Sequence, residues 1–86
     1  MTTFVDPLKQ KYTEKQGQYL AYIYQYTKIN NLPPAHADIQ NYFKVTPPTV
    51  NQMLKTLENK SFIFRQPKTP RSIKILIPAE QLPILK

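Results

Sequence analysis

Residue types that build cross-linked or metal-bound sites are scarce in this chain of 86 residues. It has no cysteine, no tryptophan and a single histidine. Without cysteine there is no disulfide and no thiolate metal site, and one histidine makes a metal centre a poor prediction. No stretch approaches the ~20 apolar residues of a membrane span, and the N-terminus lacks the apolar core of a signal peptide. We therefore expect a cytoplasmic protein without a metal.

Patterns typical of enzymes are lacking as well. With one glycine in the whole chain there is no glycine-rich phosphate loop, and no paired carboxylates or nucleophile beside a base stand out. A domain of this size buries only about 60 to 65% of the surface that its unfolded chain exposes, which leaves little room for a substrate pocket. We expect neither an enzyme nor a cofactor.

Acidic residues are few, and the charge balance is strongly positive. Twelve Lys and Arg stand against five Asp and Glu, a formal net charge of +7. This charge on so small a body indicates an anionic partner, either nucleic acid or an anionic membrane surface. The first predicted helix has tyrosines and few lysines on its polar side, unlike the cationic face of a membrane-surface helix. Nucleic acid is the favoured partner.

An amphipathic helix is predicted to follow Thr13. Thr13 and Gln16 have the spacing of a capping box, so the helix should begin at Glu14 and end near Ile29, before an Asn-Asn pair suited to left-handed geometry. At about 100° per residue the helix has two sides. The predicted core side comprises Gln16, Tyr19, Leu20, Ile23, Tyr26 and Thr27. The predicted polar side comprises Gln18, Ala21, Gln25 and Lys28.

Two further helices are predicted around the short turn "KVT". Residues 35–43, "AHADIQNYF", read as two helical turns. In the next helix the apolar residues recur at i, i+3, i+4 and i+7. These are Val50, Met53, Leu54 and Leu57. With Thr46 as the N-cap, Pro47 and Pro48 occupy the first two helical positions, where a missing N–H is harmless and φ is already helical.

A β-hairpin is predicted after the third helix. The segments "SFIFRQ" and "SIKILI" are rich in Phe and Ile, and the basic turn "PKTPRS" joins them. The predicted fold is mainly α with a small β-hairpin, a three-helix winged helix-turn-helix. Residues 13–77 form this domain, residues 1–12 are expected to be a flexible N-terminal arm, and residues 78–86 form a C-terminal tail for which dimerisation is one hypothesis.

The order and spacing of short motifs carry a family resemblance. A Pro-Pro pair precedes the second helix, a Thr-Pro step opens the third, and "Leu-Lys-x-Leu" is matched by Leu54, Lys55 and Leu57 before a wing turn "PKTPR". From Thr13 to Ile77 the chain resembles the DNA-binding domain of the LexA repressor family, with winged repressors of the MarR group the next most similar. LexA proteins continue into a self-cleaving domain with a serine-lysine dyad; this chain ends first, so that activity is not expected.

The chain also departs from the LexA pattern in three places. The turn "KVT" is one residue shorter than is usual for LexA. Lys44 and Ser61 stand where the family has glycine, at the turn and after the recognition helix. Ala35 stands where a hydroxyl would cap the second helix, so the start of that helix is weakly specified.

The outward side of the third helix suits base reading. Opposite the apolar side lie Pro48, Gln52, Lys55 and Asn59, flanked by Thr49, Asn51 and Thr56. None is acidic, Asn and Gln can pair bidentately with adenine, and a threonine methyl can meet a thymine methyl. Matching on Pro47, the resemblance implies base contacts at Thr46, Pro48, Thr49, Asn51 and Gln52. Together the two sets predict base reading by Thr46, Pro48, Thr49, Asn51, Gln52 and Lys55. The plainer interpretation is that these residues form the solvated side of a surface helix.

Basic residues of the wing and the turn are predicted to meet phosphates. The predicted phosphate contacts are Lys44, Arg65, Lys68 and Arg71. Lys74 has the alternative role of keeping an edge strand soluble. His36 is interpreted as a partly buried structural histidine.

The favoured function is sequence-specific binding of double-stranded DNA by a transcriptional repressor or regulator. Helix 46–60 would enter the major groove and the wing 65–74 would follow the phosphates. The alternative is a winged-helix adaptor that binds proteins without sequence-specific DNA binding. A homodimer is a further hypothesis, formed either through Leu82, Ile84 and Leu85 or through Tyr22 and Tyr24.

Overall fold

The computed structural model of this protein describes residues 12–86. The elements are α1 (Glu14–Asn30), α2 (His36–Phe43), α3 (Pro47–Asn59), β1 (Ile63–Phe64), β2 (Lys74–Ile75) and a 3₁₀ turn (Ala79–Gln81). The mainly α fold with a small hairpin is confirmed. The predicted N-terminal arm lies outside the described residues except for Tyr12. No helix within residues 12–86 is both long enough and apolar enough to cross a membrane.

Both ends of α1 follow the sequence prediction. The Thr13 side chain accepts the Gln16 N–H at 3.1 Å, and the Gln16 side chain accepts the Thr13 N–H at 2.9 Å, completing the capping box. At the other end Asn31 adopts φ 62°, and its N–H donates to the carbonyl of Thr27 at 2.8 Å. The helix therefore begins where its first orphan donors are satisfied and ends at the predicted Asn pair.

The two residues that stand where the family resemblance implies glycine both adopt left-handed backbone. Lys44 has φ 56° and Ser61 has φ 64°. In each case the next residue closes a Schellman motif: the Val45 N–H donates to the Gln40 carbonyl at 3.2 Å, and the Phe62 N–H to the Leu57 carbonyl at 2.9 Å. The tight turns are thus kept without glycine, at the steric cost that left-handed geometry imposes on a residue with a Cβ.

The strands of the hairpin are shorter than the Phe- and Ile-rich segments of the sequence predict. The strands pair antiparallel with Ile63 opposite Ile75 and Phe64 opposite Lys74, so each contributes only two residues to the ladder. The Leu76 N–H donates to the Phe62 carbonyl at 2.9 Å and extends the pairing by one bond. The connecting turn adds no ladder pair: Pro67 and Pro70 have no N–H to donate, and the Gln66 N–H donates to the Ser72 hydroxyl at 3.0 Å. The wing is consequently a long loop, residues 65–73, on a very short sheet.

One apolar core lies between α1, α2, α3 and the hairpin. Its buried side chains come from the three helices, from β1 and from the residues that flank the two strands. They are Tyr19, Leu20, Ile23, Ile39, Val50, Leu54, Leu57, Phe62, Ile63, Ile73 and Ile77. The predicted apolar side of α3 is confirmed, with Met53 half-buried at the edge of the cluster. The predicted core side of α1 is confirmed from Gln16 to Ile23, whereas Tyr26 and Thr27 are only half-buried. This packing fixes α3 against α2 and leaves its opposite side in solvent.

The C-terminal tail packs back along α1. The Gln18 side-chain amide donates to the carbonyl of Ile84 at 2.9 Å and accepts the Lys86 N–H at 2.8 Å. Ala21, placed by phase on the polar side, is only 2% exposed, because it lies one turn after Gln18 on the side that the tail covers. Helical periodicity alone cannot reveal that a later segment returns to cover a predicted polar side.

Candidate nucleic-acid interface

The outward side of α3 is built on three completely buried anchors. Val50, Leu54 and Leu57 each have 0% exposure, and they fix the rotation of the helix about its axis. All six predicted base-reading side chains are exposed as a result. They are Thr46, Pro48, Thr49, Asn51, Gln52 and Lys55. The structure thus brings these residues together on one solvent-facing strip with no acid among them.

The first turn of α3 leaves its hydroxyl groups outside the helix. Thr46 is the N-cap, as predicted, but its side chain caps no backbone N–H. Its Oγ1 lies 3.0 Å from Oγ1 of Thr49, so the two hydroxyls bond to one another. Because Pro47 and Pro48 have no N–H, Thr49 is the only residue of the first three helical positions with a donor to satisfy. A rigid start therefore presents two linked hydroxyls at the end of the strip.

Two exposed lysines, in the turn before α3 and in the wing, have no partner within residues 12–86. The side chains of Lys44, in the turn before α3, and Lys68, at the wing tip, are exposed. Neither has an ion pair or hydrogen bond with residues 12–86. Lys68 has φ 59°, so the wing tip, like the turn, places its lysine on left-handed backbone. Both cations are free to meet an anion.

The two predicted phosphate-contacting arginines, in contrast, have partners within the chain. Nη2 of Arg65 lies 3.0 Å from Oε1 of Glu58, and its Nε is buried without a hydrogen-bond partner within the described residues. Nη1 of Arg71 lies 3.1 Å from Oδ2 of Asp38. Both pairs join the wing to the helical body, Arg65 to α3 and Arg71 to α2. An anion would have to share these guanidinium groups with a carboxylate.

His36, at the start of α2, is exposed, contrary to the interpretation of a partly buried residue. Its pKa is lowered by partial desolvation and by the nearby charge of Arg65. Together with Arg65 and Pro67 it lines a cleft of about 640 Å³ between the N-terminus of α2 and the wing. The lowered pKa of His36 favours the neutral imidazole at neutral pH. Within residues 12–86 no three His, Cys, Asp or Glu side chains are grouped so as to hold a metal ion.

The comparisons with known proteins agree with this geometry. The family model for the LexA DNA binding domain matches residues 9–72. The chain belongs to the LexA DNA-binding domain family. A LexA repressor of Thermosipho melanesiensis is 39% identical over 66 residues, which are 77% of this chain and 33% of that protein. A LexA repressor of Pseudothermotoga lettingae is 32% identical over 80 residues, which are 91% of this chain and 40% of that protein.

The match concerns one part of the LexA relatives. A third repressor, from Carboxydothermus hydrogenoformans, is 32% identical over 72 residues, or 83% of this chain and 34% of its own length. The chain thus spans about a third of the length of these relatives. LexA family membership accounts for the three helices and the wing, and it agrees with the resemblance inferred from the Pro-Pro, Thr-Pro and Leu-Lys-x-Leu motifs.

Sequence reasoning missed two residues beside the wing of this LexA-type domain, Asp38 and Tyr26. Asp38 stands three residues after Ala35, and its Oδ2 accepts the Ala35 N–H at 2.8 Å. This bond satisfies the N–H of the N-cap residue, which is the half of a capping box that needs no hydroxyl, and the three-residue spacing that reveals it was visible in the sequence. Tyr26 was predicted to belong to the core side, but it is only half-buried, and its hydroxyl accepts a bond from Arg71 at 3.1 Å. That contact joins residues 45 positions apart, so no local pattern indicates it.

Proposed function

We propose that this chain is a sequence-specific double-stranded DNA-binding domain of a transcriptional repressor, which acts by occupying an operator. The carrying observation is the strip on α3: six exposed, acid-free side chains on a helix whose rotation is fixed by three completely buried residues. A helix of 13 residues with that anchoring fits the major groove, which admits one α-helix. The LexA repressors among its relatives support the same role.

Base reading is assigned to the strip by the chemistry of its members. Asn51 and Gln52 offer amides that can pair bidentately with adenine, and Thr49 offers a methyl group for thymine. Thr46 and Lys55 extend the strip at its two ends, and Pro48 offers an apolar surface. Each good bidentate pair contributes about 1 to 3 kcal/mol of discrimination between bases. We expect a bias towards A·T pairs.

Phosphate contacts are assigned to the basic side chains around the strip. Lys44, in the turn before α3, and Lys68, in the wing, are exposed and have no ion pair within residues 12–86. Arg65 and Arg71, the other two predicted contacts, are each paired with a carboxylate. If about five phosphates are neutralised, log affinity should fall with log salt with a slope of about −4 to −5. This electrostatic part of the affinity carries no sequence information.

Selection from a pool of random duplexes, carried out at two salt concentrations, tests this function. We expect an enriched motif that is the same at both salts and rich in A·T pairs, with weaker overall binding at the higher salt. Retention of duplexes without any enriched motif would reduce the function to nonspecific binding. No retention of duplex at low salt would overturn it in favour of the protein-binding adaptor.

Pairing of two copies on an operator with two half-sites belongs to the same proposal. Of the side chains considered for a dimer surface, Ile84 is 87% exposed and Tyr24 half-exposed. Leu82 packs against the chain's own core, and Tyr22 stacks on Tyr42 with ring centroids 4.4 Å apart. A second copy would therefore meet Ile84 and Tyr24 first. Light scattering at tens of micromolar decides the point, since a monomer mass there excludes pairing in free solution.

A further inference from the structure

Arg71 connects three separate parts of the chain through one nitrogen. Its Nη1 donates to the hydroxyl of Tyr26 on α1 at 3.1 Å and to the carbonyl of Pro33 in the loop after α1 at 3.2 Å. The same nitrogen lies 3.1 Å from Oδ2 of Asp38 on α2. The acceptors precede Arg71 by 33 to 45 residues, so the contacts tie the far end of the wing to the two helices that hold α3.

The backbone of Arg71 indicates that these contacts hold a fixed geometry. Its φ is 54°, a left-handed value that disfavours a residue with a Cβ. Such geometry persists where surrounding contacts determine it. The guanidinium Cζ also lies 6.0 Å from the centroid of the Tyr26 ring, at the outer limit of a cation–π contact. Side chain and backbone together hold the C-terminal end of the wing in one conformation.

Asp38 is held in place for this contact by the backbone at the start of α2. Its Oδ2 accepts the N–H of Ala35 at 2.8 Å, which fixes the carboxylate at the N-terminus of α2. The bond from Ala35, with lesser contributions from Tyr26 and Arg71, lowers the pKa of the Asp38 carboxyl. The carboxylate is thus ionised and oriented towards the wing at neutral pH.

Lys68 provides a comparison within the same wing. It shares the left-handed backbone of Arg71, with φ 59°, but it has no ion pair or hydrogen bond with residues 12–86. A phosphate would meet Lys68 without competition. At Arg71 it would have to share the guanidinium with Asp38, which already balances that charge.

We infer that Arg71 is a wing-positioning residue, which acts through Asp38 and Tyr26 to hold the wing against α1 and α2, instead of being a phosphate contact. This inference rests on the proposed DNA-binding function. It assigns the two wing cations different roles: Lys68 supplies charge to the phosphates, and Arg71 sets where the wing lies. The carboxylate of Asp38 thereby promotes DNA binding although its own charge repels DNA.

The salt dependence of duplex affinity separates the two roles. With the duplex selected above, Lys68→Ala should reduce the salt slope by about 0.9, the loss of one phosphate contact. Arg71→Ala should weaken binding about 5- to 10-fold and change the slope by less than about 0.3, because the wing is displaced without removal of a phosphate contact. A slope loss for Arg71→Ala equal to that of Lys68→Ala overturns the inference.

The positioning role and the phosphate-contact role of Arg71 predict opposite effects of Asp38→Asn on duplex affinity. Asparagine keeps an oxygen that can accept the Ala35 N–H, but it removes the negative charge that pairs with Arg71. If Arg71 were a phosphate contact, removal of this competing charge would strengthen binding; we expect it to weaken binding about 3- to 5-fold. The double variant with Arg71→Ala should be no weaker than Arg71→Ala alone. Glu80→Gln, which removes a carboxylate that has no ion pair within residues 12–86, controls for the general effect of charge.

Wing order in the free protein tests the inference without DNA. We expect ¹⁵N relaxation of backbone amides in residues 68–72 to show increased mobility in Arg71→Ala and Asp38→Asn, and none in Lys68→Ala or Glu80→Gln, with circular dichroism reporting the retained helices. An unchanged wing in Arg71→Ala overturns the positioning role whatever happens with DNA. If the wild-type chain bound no duplex while the wing became mobile in Arg71→Ala and Asp38→Asn, the proposed function would be refuted. The positioning role of Arg71 in the free protein would still hold.

Discussion

The rings of Tyr19 and Phe43 are stacked, with centroids 4.2 Å apart and an angle of 3° between their planes. Tyr19 lies in the middle of α1, and Phe43 is the last residue of α2. The contact therefore fixes the end of α2 just before the turn that leads into α3. Since α3 carries the candidate base-reading strip, this stack helps to set the direction in which the strip faces.

Replacement of Phe43 by leucine should weaken the domain. Leucine keeps apolar volume but removes the stacking, and we expect the free energy of unfolding to fall by about 1 to 2 kcal/mol. Urea denaturation followed by circular dichroism measures the change. Tyr24→Leu, on the outer side of α1, serves as the control and should change stability by less than about 0.5 kcal/mol. Equal effects of the two substitutions would show that the stack contributes nothing specific.

Ser61→Gly should stabilise the domain. Ser61 has φ 64° at the end of α3, where glycine avoids the steric cost of a Cβ. We expect a gain of about 0.5 to 1 kcal/mol in the free energy of unfolding, less than the full strain because glycine also makes the unfolded chain more flexible. Asn59→Gly, in the last helical position, is the matched control and should destabilise by about 0.5 to 1 kcal/mol. A loss of stability in Ser61→Gly would contradict the left-handed geometry.

Gly17→Ala should destabilise the domain, although alanine is the better helix former. A Cβ at position 17 would lie 2.9 Å from Cε1 of Tyr12 and 3.0 Å from Cγ of Pro83, so the tail or the tyrosine must move. We expect a net loss of about 1 kcal/mol, since overpacking exceeds the propensity gain of about 1 kcal/mol. Thermal unfolding provides the measurement, with the exposed α1 substitution Gln25→Ala as control. A higher melting temperature for Gly17→Ala would mean that the tail does not pack at this glycine.

Base-reading and phosphate-contacting side chains should respond differently to substitution. Asn51→Ala or Gln52→Ala should lower discrimination at one or two base positions by about 1 to 3 kcal/mol and leave the salt slope unchanged. Lys44→Ala should weaken all duplexes alike and reduce the slope by about 0.9. Titrations of the selected duplex and of single-base variants at several salt concentrations supply both quantities. A uniform loss for Asn51→Ala and Gln52→Ala would remove these side chains from the base-reading set.

Acid should remove the contribution of Asp38. Its pKa is lowered in the folded protein, chiefly by the bond from the Ala35 N–H, so its stabilisation is complete above the unfolded value of roughly pH 4 and is lost as the pH falls through the folded value. Urea denaturation of the wild type and of Asp38→Asn between pH 7 and pH 2.5 tests this. We expect the wild type to be more stable at pH 7 and the difference to shrink below about pH 4. A difference that is independent of pH would assign the effect to packing.

Much of this structure could be predicted from interactions between residues that are close together in the sequence. The Thr13–Gln16 capping box, the Asn31 stop and the proline start of α3 involve residues within a few positions of one another, so each is visible without knowledge of the fold. The rotation of α3 followed from the spacing of Val50, Leu54 and Leu57, and with it the exposure of Asn51 and Gln52. The order and spacing of the short motifs predicted the LexA family, because both can be read directly along the chain.

Contacts between distant segments were decided only by the tertiary structure. The burial of Ala21 depends on a tail more than 50 residues later, and the length of the hairpin depends on how the proline-rich wing leaves the sheet. The partners of Arg71 lie on α1, in the loop after α1 and on α2, so its charge alone suggested a phosphate contact. A side chain's charge is a property of the sequence, whereas the group that balances it depends on which elements pack together.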